Sequence, residues 1–136
     1  MNLAELVRAL AEYLETILPA GITIRTDDRH LIVQTPQAVD WLIVADNIEH
    51  NVAEGASFDQ AIENTVHSTL QELQDIVTVS LTVPWPQERG MGRSEFAPVE
   101  AQVIDGVLQI WVGERNTPLF PVGRIAIKCG RLDAIL

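Results

Sequence analysis

The residues with the most chemical potential are three histidines and their acidic neighbours. Asp46 and His50 stand four apart, as do Glu63 and His67, a spacing that puts each pair on one face of a helix. Two such pairs on adjacent helices would offer two imidazoles and two carboxylates, a donor set suited to zinc or iron, with His30 as a fifth ligand. The helical pattern argues against this use. His67 shares its face with Gln60, Asn64, Gln71 and Gln74, opposite the apolar stripe, and reads as a solvated side chain. No metal or other cofactor is expected. Cys129 follows Lys128, which favours a thiolate slightly, but no histidine adjoins it, and a small buried residue is the plainer reading. Phosphate loops, His-Glu-x-x-His and Gly-x-Ser-x-Gly are absent. Gly90-Met91-Gly92 is a fragment of a dinucleotide fingerprint with no strand before it. No catalytic residue is expected.

Binding chemistry is better represented. In the segment Pro84 to Pro98, Trp85 stands between two prolines, Arg89 and Arg93 are the first cations after fifty-nine residues without one, and Phe96 closes the run. Trp and Arg are the types in which interface binding energy concentrates. Trp85, Arg89, Arg93 and Phe96 are therefore candidate partner contacts, with Asp46, Glu49 and His50 from the acidic region. In the competing reading Trp85 packs back on the core and the arginines pair with acidic helices.

The charge is lopsided. Residues 1–83 hold thirteen carboxylates and three arginines, residues 84–136 six of each sign, and the net charge is −10. Such a field repels phosphate backbones, so nucleic acid is not an expected partner. Apolar residues make up 47% and charged ones 21% of 136 residues, which excludes a disordered tail. The longest apolar run, Trp41 to Ala45, is far too short for a membrane span. The lone cysteine and an N-terminus without a basic, apolar leader point to the cytoplasm.

The elements that must position these residues can be read from periodicity and turn chemistry. Residues 3–18 predict an amphipathic helix capped by Asn2 and stopped by Pro19 and Gly21. Ile22–Thr26 and His30–Gln34 predict a hairpin. For 36–54, Pro36 at the entry and Gly55 at the exit favour a helix, with a buried strand around Trp41–Val44 as the alternative. Ser57 and Gln60 form a capping box that opens a long helix running to Pro84, although 77–83 also alternates like a strand. Asp105-Gly106 predicts a tight hairpin between Val99–Ile104 and Val107–Val112. A loop follows at 116–121 and a short strand at 123–128. The sum is a single α+β domain over 1–136, with helices covering one small, mostly antiparallel sheet and a loop at 84–98.

An acidic chain of 15.0 kDa with an N-terminal helix and following hairpin strands resembles the small secretion-chaperone-like proteins. The resemblance covers size, charge and the first thirty-five residues. It departs at the C-terminal hairpins, where that pattern ends in a helix. It implies a protein partner and transfers no site residues. The expected function is a non-catalytic, acidic protein-binding module, an adaptor or chaperone-like domain, with homodimer formation expected from the high apolar content. The alternative is a small-ligand-binding domain or enzyme with a pocket between sheet and helices.

Overall fold

The computed structural model describes residues 2–86 and 97–127. Helix α1 (Leu3–Ile17) begins at Asn2, whose side chain accepts from the Glu5 N–H at 2.8 Å. Its 3,4-spaced stripe places Leu6, Val7, Leu10 and Leu14 wholly out of solvent. Strands β1 (Thr23–Thr26) and β2 (His30–Gln34) form the expected hairpin. Its turn is held by the Asp27 carboxylate, which accepts from the backbone N–H groups of Arg29 and His30 at 3.1 and 2.9 Å.

The expectation of a helix over 36–54 is corrected. Residues Val39–Ile43 are strand β3, paired antiparallel with β2, and helix α2 spans only Ala45–Ala53. Pro36 serves a turn, not a helix start. Thr35 N–H donates to Ala38 O at 2.9 Å, and Thr35 Oγ1 accepts from the N–H groups of Gln37 and Ala38. Proline presets φ for the second position of such a turn as readily as for the first turn of a helix, so the residue alone does not decide.

Helix α3 (Phe58–Leu81) carries the capping box in full, Ser57 Oγ accepting from Gln60 N–H and Gln60 Oε1 from Ser57 N–H. The alternating residues 77–81 stay helical, and the helix closes on Thr82 in a left-handed conformation, two residues before Pro84. Strands β4 (Val99–Ile104) and β5 (Val107–Glu114) meet at Asp105-Gly106, both at positive φ, as a two-residue hairpin turn requires. The two-residue strand β6 (Thr117–Pro118) lies within the expected 116–121 loop, and β7 (Gly123–Ala126) pairs with β5. Gly123 is required by close packing, since a Cβ there would come within 2.8 Å of the Tyr13 ring.

The architecture is α+β, with the N-terminal helix and C-terminal hairpin in their expected places. The strands, however, divide into two antiparallel sheets, β1-β2-β3 and a second of β4, β5, β6 and β7, where one was expected. Two helices intervene between β3 and β4, and no described strand joins their edges. One apolar core runs beneath both sheets, from α1 (Leu6, Leu10) through β2 (Leu31, Val33) and α3 (Ile62, Leu73) to β5 (Leu108, Ile110). Among the described residues no helix is long and apolar enough to cross a membrane.

Candidate functional site

The sequence-selected residues are not gathered at one place. Trp85 is half-buried against the core, its ring 6.3 Å from that of Phe120 and its backbone N–H donating to Thr78 Oγ1 at 3.1 Å. Next to it, Ala97 N–H donates to Pro86 O at 2.8 Å. Arg89, Arg93 and Phe96 lie outside the described residues. Asp46 and Glu49 both bind the Arg29 guanidinium, Asp46 Oδ1 accepting from Nε at 3.0 Å. The two carboxylates raise the arginine pKa, Asp46 contributing most. Arg29 thereby fastens the β1–β2 turn to α2, which its carbonyl also reinforces by accepting from the N–H groups of Val44 and Ala45. His50 is exposed, 3.9 Å from Glu54.

The histidine–carboxylate pairs are likewise separated by their neighbours. Glu63 Oε1 accepts the Val103 N–H at 2.7 Å, and the Gln74 amide, buried at 8% exposure, donates to Ala97 O at 2.8 Å. The face of α3 read from sequence as solvated is thus partly a second packing face, turned to β4. Among the described residues no group of three or more His, Cys, Asp or Glu is arranged to hold a metal ion. A polar hollow of about 470 Å³ beside this seam is bordered by His67, Gln71 and Glu100.

Exposed apolar surface marks a different place. The large hydrophobic residues open to solvent among those described are Val39 (47%), Trp41 (54%) and Ile43 (48%) on β3, with Val79 and Val83 at the end of α3. Strand alternation puts Val39, Trp41 and Ile43 on the outer face of the first sheet, while Leu42 points to the core. Trp41 stands opposite Ile32 in register and meets the His30 ring edge-to-face at 5.4 Å. His30 is in turn bound through Nδ1 to the Asp27 carboxylate at 3.1 Å.

The backbone of β3 adds a second property. The Thr35–Ala38 pair is hydrogen-bonded, so in the alternating antiparallel ladder Asp40 and Leu42 turn their backbone groups toward β2. Val39, Trp41 and Ile43 turn theirs away, toward the side where no described strand pairs. Among the described residues, only the Ile43 carbonyl has a side-chain partner there, accepting from the Asn47 amide at 2.9 Å. The opposite situation holds at β4, whose outward Val103 N–H is taken by Glu63.

Between the inner face of β3 and the last turns of α3 lies an open groove of about 500 Å³. Ala38, Ile76 and Val79 give it apolar walls, Asp40 and Asp75 supply its charge, and no lining residue is basic. Ser80 Oγ donates to Gln37 Oε1 at 2.8 Å across one end. Sequence reasoning missed this site. Its one signal was the apolar Trp41–Val44 run, whose strand reading would have set Trp41 and Ile43 on a common face. Compared with known proteins, the chain matches no family model, no curated protein and no solved structure.

Proposed function

We propose that this chain is a non-catalytic protein-binding module of the adaptor or chaperone-like kind, docking its partner along β3. The observation that carries the reading is the coincidence, on Val39, Trp41 and Ile43, of exposed apolar side chains with outward-turned backbone donors and acceptors. An open edge strand is a template for another chain, and an extended segment added there gains main-chain hydrogen bonds as well as side-chain contacts. Edge strands elsewhere are covered or charged to prevent such pairing. A lone cysteine, unable to form an intrachain disulfide, supports a cytoplasmic setting. Self-association as a homodimer would use the same edge.

Panning a random-peptide library on the full chain tests this reading. Enrichment is expected on the native chain and on His50→Ala, and is expected to be lost on Trp41→Ser/Ile43→Lys. Equal enrichment on that double variant would overturn the β3 site, and dependence on His50 would return attention to α2.

A further inference from the structure

Resting on the docking reading above, the geometry points to one class of occupant: we propose an extended polypeptide segment in which apolar and basic residues alternate, added as a further strand to β3. On one face of a paired strand, side chains directly opposite lie about 4.5–5.5 Å apart. The incoming residues opposite Val39, Trp41 and Ile43 share the outer face with those side chains, so apolar types fit there. The residue opposite Asp40 points the other way, into the groove walled by Ile76 and Val79 and flanked by Asp75. A lysine or arginine suits that position twice over. Its aliphatic stem covers the apolar wall while its head reaches the carboxylates.

Charge decides between this occupant and a second copy of the chain. Two copies related by a two-fold axis at Trp41 would set Asp40 opposite Leu42 of the partner and make the two Asp40 carboxylates diagonal neighbours on one face. Each copy would also bring a net charge of −10. A basic segment relieves both repulsions, and the groove itself contributes no cation to compete with it.

The test uses the full chain and three heptapeptides: one alternating valine and lysine, one alternating valine and glutamate, and one with the lysines and valines of the first in blocks. Titration calorimetry and amide hydrogen exchange are the readouts. The alternating lysine peptide is expected to bind, to slow exchange at Val39 and Trp41, and to weaken roughly tenfold in Asp40→Asn/Asp75→Asn, the scale of two partly exposed ion pairs. Raising salt from about 0.05 to about 0.5 M should weaken it in the same sense. Unchanged urea midpoints in the double variant establish that the fold is intact. Equal binding of the block peptide would overturn strand addition. Binding of the glutamate peptide with protection at Trp41 would overturn the basic occupant and leave the docking reading standing. A stable dimer by light scattering, with Trp41 protected and no peptide bound, would replace the peptide by a second copy. A monomer with no peptide protected at β3 would sink both.

Discussion

Asp27 shows how one exposed carboxylate can hold a turn. It accepts from two backbone N–H groups and from His30, and these bonds, that from Arg29 first, hold its carboxyl below the usual carboxylate range. The sign of the linkage follows. A carboxyl with a depressed folded pKa contributes stability above its unfolded pKa and loses that contribution as pH falls through the folded value. The Arg29 and His30 amide resonances are therefore expected to titrate together with a midpoint below 3.8, the ordinary aspartate value. A midpoint at or above it in an NMR titration would contradict the turn geometry. The same carboxylate holds His30 beside Trp41, so the residue that shapes the turn also supports the exposed apolar face of β3. Arg29 acts similarly, spending Asp46 and Glu49 on internal fastening.

At the scale of elements, α3 treats its two neighbouring strands unequally. Toward β4 it offers Glu63 and Gln74, which satisfy a backbone donor and a backbone acceptor near that edge. Toward β3 it offers Ile76 and Val79 and leaves a groove. Gln74→Leu keeps the volume but removes the donor to Ala97 O, and is expected to cost about 1–3 kcal/mol in urea unfolding, the penalty for an unsatisfied buried group. A loss below about 0.5 kcal/mol would mean that water replaces it. Much of this architecture was legible in the residues. Asn2, the Ser57–Gln60 box and Asp105-Gly106 each act within a few neighbours, so their meaning survives without tertiary context. Pro36 and Gln74 did not read true because their roles are set by distant partners: Pro36 by the pairing of β3 on β2, Gln74 by Ala97 across the helix–strand seam. The candidate site was hidden for the same reason. Nothing local says that Trp41 stands on an edge, although the reading of Trp85 as packed back on the core was open from the sequence and is the one observed.

At the scale of the whole molecule, apolar exposure and negative charge meet at the β3–α3 groove. Because the outer face of β3 carries no packed layer among the described residues, Ile43→Lys is expected to change the unfolding free energy in urea by no more than about 0.5 kcal/mol while reducing any self-association seen by light scattering. A large destabilisation would show that the face is packed after all. The exposure of Trp41 has a practical consequence too. Of the three indoles, Trp111 is sealed at 9% and Trp85 leans on Phe120, whereas Trp41 is 54% open. Acrylamide should therefore extinguish chiefly the emission of Trp41, and whatever settles over that ring should shield it and shift its colour toward the blue. The protein carries its own optical gauge of occupancy, with no dye to attach.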